Sequence, residues 1–465
     1  MKNDKGLTKF AGLFLLSLFL VLSQPVFGQD ENLLKSKELP TRNQSPLELT
    51  FPLKEVARVN LETRLTPQLI VSQNIVYGLS QNGLLFGYDF QEQRLLWTYK
   101  LSSPAQTSLI LSKGSLYLVD EENNLVKVSQ EGKLIHRESL NLPVAGQLQL
   151  WEESLILATT DNRVICLNLE SVDLVWEAKV DSPVRAPFLL LEAGLIAVTS
   201  SGSIYLIFPD GNLKTLGSVG KKIVPYAYYQ DGHIFLGTED KHLLSWEVKK
   251  RRISWSMKLA AQVAANPLGV GKNLYALAAN AVIYCFNLKT GEIRWWHSVP
   301  SRLALGLLPA GEAILVATAN SPLLCFDLKT GKELGRYEVE GEIASPAKVV
   351  AGRLALATYQ PSTGQGYLIF LEPEVELSLV PSLPSPQKLG IDLTFTAQAI
   401  GFNQPRFEFF LEKEGKRQVV QKESERATWS WIPLGPGNYV VGVKAKDKKK
   451  TKETSLSFEI LKDTP

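Results

Sequence analysis

The sequence has few cysteines, no adjacent cysteine pair and no strong excess of charge. Only three cysteines occur in 465 residues, and none precedes Cys166. We therefore expect no lipid-modified cysteine at the N-terminus. The formal net charge is only +3, so the composition favours neither a nucleic acid nor an anionic membrane as a direct partner.

The usual sequence signs of catalysis and metal binding are also missing. The chain contains no nucleophile-elbow motif around a serine and no glycine-rich phosphate loop. Its histidines do not have the spacing of metal ligands. They are His136, His233, His242 and His297. We expect no catalytic residue, no metal and no cofactor.

The segment 1–28 has the three parts of an export signal. Lys2, Lys5 and Lys9 give a positive start, and the apolar segment Phe10–Leu22 follows. That segment is too short to span a bilayer. Val26 and Gly28 are the small residues that a signal peptidase requires before its cleavage site, which we place after Gly28. We expect a cleaved signal peptide (1–28), a linker (29–52) and a periplasmic or secreted protein. An uncleaved N-terminal anchor is the alternative.

One phrase occurs twice along the chain. CFNLKTGEIRWWHS begins at Cys285 and CFDLKTGKELGRYE begins at Cys325. The two copies start 40 residues apart. Further steps of 40 or 39 residues along the chain define eight equivalent positions, four of which are tryptophan. We call each position a fourth-strand slot. The slots are Ala57, Trp97, His136, Trp176, Thr215, Trp255, Trp295 and Gly335.

Each repeat predicts four short strands, which is the unit of a β-propeller blade. Eight sets of the first three strands occur between positions 65 and 373, but the last set has no fourth strand after it. Leu53–Thr63 carries the slot at Ala57 and precedes the first set. We therefore predict an all-β fold with an eight-bladed propeller over 53–373, closed by this N-terminal strand.

The three cysteines occupy one position of the repeat, just before an apolar residue that is followed by Asn or Asp. Equivalent positions of different blades lie too far apart for a disulfide bond. We expect small buried residues with free thiols. They are Cys166, Cys285 and Cys325.

The segment CFNLKTGEIRWW resembles the repeat of quinoprotein-like (PQQ-like) propellers. In that family the tryptophan docks between neighbouring blades against a glycine peptide. The resemblance implies this structural role for Trp97, Trp176, Trp255, Trp295, Gly291 and Gly331. The plan of a signal peptide followed by eight such blades is similar to the propeller subunits of the outer-membrane barrel-assembly machinery. His136 stands in a tryptophan slot, and we expect it to pack between blades.

The C-terminal part of the chain follows a different pattern. A Pro/Ser stretch of linker type, VPSLPSPQ, is followed by six or seven short strands, which favours a β-sandwich. The stretch WIPLGPGNYVVGVKAKD is similar to bacterial extracytoplasmic Ig-like modules. We predict an Ig-like domain over 374–465, in which Tyr439 hydrogen-bonds back to the preceding chain.

Three functions remain open. The first is a monomeric, non-catalytic scaffold that binds a protein or peptide in the bacterial cell envelope and meets the membrane only indirectly. If the resemblance extends to role, that partner belongs to the barrel-assembly machinery. The second is a carbohydrate-binding or adhesive protein, which exposed aromatics such as Trp429 would support. The third is a quinoprotein dehydrogenase, which would need a vicinal cysteine pair and a calcium site that this chain lacks.

Two basic runs fit more than one role. KKRR at Lys249–Arg252 falls on a blade turn, and Lys446–Lys452 falls on a hairpin turn of the C-terminal domain. A solvated turn explains both runs without a function. The functional alternative is an electrostatic contact with an acidic surface, polymer or partner.

Overall fold

The computed structural model describes residues 49–448 and 450–462. In these ranges the chain forms strands and no helix, so no helix there is long and apolar enough to cross a membrane. The all-β prediction is confirmed. The expected signal peptide (1–28) and most of the expected linker lie outside the described residues.

After β1 (Leu53–Asn60) the chain forms seven four-stranded antiparallel sheets, which we number 1 to 7 in chain order. Sheet 1 contains β2 (Leu65–Ser72), β3 (Ile75–Ser80), β4 (Leu84–Asp89) and β5 (Arg94–Lys100). Sheet 2 contains β6 (Ile110–Ser112), β7 (Ser115–Val119), β8 (Asn124–Ser129) and β9 (Leu134–Ser139). Sheet 3 contains β10 (Val144–Trp151), β11 (Ser154–Thr159), β12 (Arg163–Asn168) and β13 (Leu174–Lys179).

The next four sheets repeat this order. Sheet 4 contains β14 (Leu189–Leu191), β15 (Gly194–Val198), β16 (Ser203–Ile207) and β17 (Leu213–Ser218). Sheet 5 contains β18 (Ile223–Gln230), β19 (His233–Thr238), β20 (His242–Glu247) and β21 (Arg252–Lys258). Sheet 6 contains β22 (Leu268–Val270), β23 (Asn273–Ala278), β24 (Val282–Asn287) and β25 (Ile293–Ser298). Sheet 7 contains β26 (Ala304–Ala310), β27 (Ala313–Thr318), β28 (Leu323–Asp327) and β29 (Glu333–Tyr337).

Sheet 8 joins the two ends of this array. It contains β30 (Glu342–Ile343), β31 (Lys348–Val350), β32 (Arg353–Gln360) and β33 (Gln365–Pro373), with β1 as its outer strand. β1 runs antiparallel to β33, from Leu53 opposite Pro373 to Asn60 opposite Tyr367. The pairing of the N-terminal strand with the last set, predicted from the sequence, is therefore present.

Hydrophobic clusters connect the sheets in cyclic order. Each of eight buried clusters is shared by two consecutive sheets, for example Tyr77 of sheet 1 with Leu116 of sheet 2. The cluster that joins sheet 8 to sheet 1 contains Phe370 and Phe86. The first strands of neighbouring sheets contact one another, as β6 contacts β10 and β31 contacts β2. The first strands thus converge, and the fourth strands lie at the periphery.

The C-terminal residues form two more sheets. A three-stranded sheet contains β34 (Glu376–Pro381), β36 (Leu393–Ile400) and β39 (Thr428–Trp431). A five-stranded sheet contains β35 (Gln387–Lys388), β37 (Arg406–Lys413), β38 (Lys416–Ser424), β40 (Gly437–Lys446) and β41 (Thr451–Leu461). Phe395, Phe409 and Phe458 are buried in one core with residues of both sheets.

Two predictions about this part of the chain have different outcomes. The linker interpretation of VPSLPSPQ is wrong, because Val380 pairs with Thr396 and Gln387 pairs with Ile460. Prolines are tolerated there because the strands lie at sheet edges or are very short. The Tyr439 hydroxyl does donate a hydrogen bond back to the chain, to the carbonyl of Gly435 at 2.8 Å.

Candidate functional site

Each of the four slot tryptophans lies against a turn of the next sheet. The indole N–H donates to a backbone carbonyl 33 residues further along the chain. The acceptors and distances are Gln130 for Trp97 (2.6 Å), Pro209 for Trp176 (3.0 Å), Leu288 for Trp255 (3.0 Å) and Leu328 for Trp295 (3.3 Å). One spacing therefore describes all four contacts.

A glycine in the receiving turn allows each indole ring to lie directly against the backbone of that turn. A Cβ on Gly291 would lie 2.5 Å from Cδ2 of Trp255, and a Cβ on Gly331 would lie 2.5 Å from Cδ2 of Trp295. Gly132 meets Trp97 and Gly211 meets Trp176 in the same way; the repeat spacing points to both, although sequence reasoning did not name them. All four glycines have positive φ. Any side chain at these positions would displace the indole.

Turns that receive no tryptophan show that the close approach, rather than the backbone angle, requires glycine. The corresponding turn residue is Val172 after the slot at His136 and Arg251 after the slot at Thr215. Both adopt positive φ, at 63° and 50° respectively. A side chain is thus accepted at this backbone angle where no indole fills the space.

His136 does not pack between sheets, so that prediction is wrong. Its side chain is exposed and its Nε2 lies 2.8 Å from Oε2 of Glu138. Val172 occupies the turn where an indole would meet glycine, and the strand residue opposite His136 is Lys127. This turn therefore lacks the glycine, and the adjacent strand lacks the small residue, that accompany each docked tryptophan in the other sheets.

The slot at Gly335 receives its aromatic ring from elsewhere. A Cβ on Gly335 would overlap Cγ of Phe51, which precedes β1. Phe51 packs against the cluster shared by sheets 7 and 8. The N-terminal segment thus supplies the aromatic ring that sheet 7 lacks.

Each cysteine lies directly opposite a fourth-strand slot. Cys166 pairs with Trp176, Cys285 with Trp295 and Cys325 with Gly335. All three cysteines are buried and free. Burial raises the pKa of Cys285 to about 11 and that of Cys325 to about 12, which keeps both as neutral thiols.

One end of the sheets carries a strongly uneven charge. The turns between the first and second strands and between the third and fourth strands all emerge at this end, which we call the charged face. In sheets 3 and 4 these turns carry six exposed acids and no base. The acids are Glu152, Glu153, Glu170, Asp173, Glu192 and Asp210.

The neighbouring sector of the charged face is basic. The same turns of sheets 5 and 6 carry five exposed cations, and an exposed sixth, Arg252, begins β21. The five are Lys249, Lys250, Arg251, Lys272 and Lys289. Their exposed acids are two, Asp231 and Glu292. Glu247, which ends β20, is paired with Lys250 at 3.1 Å. Burial lowers the pKa of His233, whose charged neighbours include Lys250 of sheet 5 and Lys289 of sheet 6, so the two turns adjoin. The basic run therefore belongs to a larger cationic surface.

The structure does not assemble a metal site or an exposed aromatic surface from the other candidate residues. Within the described ranges no group of three His, Cys, Asp or Glu residues could hold a metal ion. Trp429 and Trp431 do lie on one face, but both pack against Phe395 in the C-terminal core. They therefore do not form the exposed aromatic platform that a glycan would stack on.

Cyclically packed four-stranded sheets with docked tryptophans define a propeller of quinoprotein-like repeats. The family model for outer membrane protein assembly factor BamB matches residues 54–185 and 211–372, more than half of the chain. The protein belongs to this family.

Known proteins of this fold have different activities. The chain is 26% identical over 161 residues to outer membrane protein assembly factor BamB of Yersinia pestis, a match that spans 32% of this chain and 38% of that protein. BamB of Moraxella catarrhalis has a similar structure (TM-score 0.56, 14% identity, 69% of this chain and 98% of that one). So does the quinohemoprotein alcohol dehydrogenase of Comamonas testosteroni (TM-score 0.55, 11% identity, 72% and 78%). The fold alone therefore does not decide between scaffold and enzyme.

Proposed function

We propose that the protein is a non-catalytic, protein-binding scaffold of the bacterial cell envelope that acts in outer-membrane protein assembly. The family match over the repeats is the observation that carries this proposal. The sequence also lacks the vicinal cysteine pair that a quinone site of the dehydrogenase type needs. An export signal over residues 1–28 would place the protein in the periplasm or outside the cell. We expect it to act there as a monomer.

In this proposal residues 53–373 form a closed eight-bladed ring and residues 374–465 an Ig-like domain. The eight clusters shared by consecutive sheets support the closed ring, and the Tyr439 hydrogen bond supports the Ig-like assignment. The four tryptophans, with Gly291, Gly331 and their two equivalents, hold neighbouring blades together. Their role is to keep the ring rigid rather than to contact a partner.

The charged face is the surface on which we expect the partner to bind. An acidic sector beside a basic sector orients an approaching protein of complementary charge and raises the association rate. In the acidic sector, Lys113 reaches across from sheet 2 to Glu153 at 2.5 Å and Glu170 at 3.5 Å, so part of its charge is neutralised. The basic sector concentrates its charge in the continuous run Lys249–Arg252 and is therefore the better attachment point.

Complementation of a deletion strain tests the proposal. Wild-type protein should restore the amount of outer-membrane β-barrel proteins, and Lys249→Glu with Arg251→Glu should restore less of it. Lys446→Glu with Lys448→Glu is the matched control, because it reverses two exposed charges on the C-terminal domain. If deletion leaves β-barrel protein levels unchanged, the assembly role is wrong. If the Lys249/Arg251 variant restores as well as the control, the charged face is not the binding surface.

A further inference from the structure

The strands that line the axis of the sheet array are almost free of charge. The first strands of the eight sheets are β2, β6, β10, β14, β18, β22, β26 and β31, and they include no Asp, Glu, Arg or His. Lys348 in β31 is the one charged residue of these described strands. Two further charges lie near these strands: Glu342 in β30, which also pairs with β32, and Arg185 of sheet 4, at the position that Ala145 holds in β10. Lys348 is therefore the one charged residue of its register, not of the whole axial edge.

Lys348 occupies a register where the other sheets place uncharged residues. It lies opposite Ala355 of the second strand, as Ile70 lies opposite Tyr77 and Leu308 opposite Leu315. The remaining residues of this register are Ile110, Gln149, Leu189, Tyr228 and Leu268. An anion bound at this register would thus meet one ammonium group and side chains that are mainly apolar.

Among the described residues, no anionic side chain compensates the ammonium group of Lys348. It makes no ion pair or side-chain hydrogen bond with them, and burial alone lowers its pKa. The acid of the neighbouring strand β30, Glu342, pairs instead with Arg64 at 3.3 Å. Across β32, Arg353 pairs with Glu372 at 2.8 Å. Within the described part of the chain the cation is therefore left without a counter-charge.

The side chain of Lys348 nevertheless remains open to solvent. Because the first strands converge on the axis of the array, an exposed side chain on β31 can open toward that axis. Alternation along β31 places Lys348 on the same side as Val350, which is buried in the cluster shared with sheet 1. The aliphatic stem can pack beside that cluster while the ammonium group faces the channel.

We propose that the axial channel is a binding site for a small organic monoanion, a carboxylate carried on an apolar body, with Lys348 as its anchor. The proposal rests on the closed ring proposed above but not on the assembly role. The carboxylate supplies the missing counter-charge in a partly desolvated place, where a charged hydrogen bond is stronger than in water. The apolar body removes the aliphatic wall from water.

Hexanoate is a suitable probe, with hexanol as its neutral counterpart, and titration calorimetry on the full chain measures both. Hexanoate should bind saturably, and hexanol at least about tenfold more weakly, because it lacks the charged hydrogen bond. Lys348→Met keeps the length of the side chain and removes the charge, so it should weaken hexanoate binding about tenfold or more. Lys416→Met, an exposed lysine of β38 in the C-terminal part of the chain, is the control and should leave hexanoate binding unchanged.

Amine labelling of the wild-type chain gives a second measurement that needs no variant. Hexanoate should protect Lys348 from acetylation in a peptide map, while the exposed Lys416 keeps its labelling rate. Absence of saturable binding, equal binding by Lys348→Met, or labelling of Lys348 that hexanoate does not slow would each overturn the inference. If the wild-type chain complements the deletion strain normally but does not bind hexanoate, this site is refuted and the assembly role stands.

Discussion

The contact between Phe51 and Gly335 makes a prediction about how the array of sheets is closed. Phe51 lies outside the repeat, yet its ring takes the place of the missing slot tryptophan of sheet 7. Phe51→Ala would open a cavity there. Gly335→Trp would put a second ring into space already filled, with no backbone penalty from positive φ because Gly335 has none.

The size of each effect follows from burial. Truncating a fully buried Phe costs about 3–5 kcal/mol, and since Phe51 is only partly buried we expect about 2–3 kcal/mol. Gly335→Trp alone should cost about 1–3 kcal/mol through overpacking. In the double variant the new indole fills the cavity, so the two losses should fall short of additivity by about 1–3 kcal/mol.

Urea unfolding of the full chain, followed by far-UV circular dichroism, measures these free energies without interference from the added tryptophan. Leu434→Ala is the control, because Leu434 is 91% exposed and should change stability by less than about 0.5 kcal/mol. Additive losses in the double variant would show that Phe51 does not occupy the slot. A loss for Phe51→Ala no larger than the control would show that the N-terminal segment does not secure the sheets.

Three further predictions concern glycines, thiols and the N-terminal strand. Gly291→Ala should cost about 1–3 kcal/mol more than Gly271→Ala, since both have positive φ but only Gly291 meets an indole; equal urea midpoints would contradict the docking role. Thiol titration should find no reactive thiol in the folded chain and three after denaturation without reductant; fewer would mean a disulfide. A chain that begins at Leu65 should melt well below one that begins at Leu49, because it lacks β1; equal melting temperatures would exclude a stabilising role for β1.

The repeat made much of the fold predictable because its signals are local. The regular interval between slots fixes where each fourth strand falls, and a tryptophan in the slot implies a glycine in the receiving turn of the next sheet. The same regularity placed each cysteine opposite a slot. The sequence also contained a sign that His136 does not dock between sheets, because Val172 stands where the receiving turn would need glycine.

Contacts that depend on the closing of the chain had no local signal. Nothing in the sequence near Phe51 indicates that it meets Gly335, far along the chain, and only the pairing of β1 with β33 brings the two together. The cation at Lys348 was equally inconspicuous as one lysine among many. Its meaning depends on seven uncharged neighbours contributed by seven other sheets.

Phe51 and Lys348 depart from the repeat where the first and last sheets of the array meet. The segment before β1 packs its Phe51 ring on sheet 7, and Thr50 accepts a hydrogen bond from Nζ of Lys450 in the C-terminal domain at 2.7 Å. Pro52 accepts another from the amide of Glu374, at the exit from sheet 8. The C-terminal domain therefore contacts the same short segment that completes sheet 7, and its attachment and the closure of the array stabilise each other.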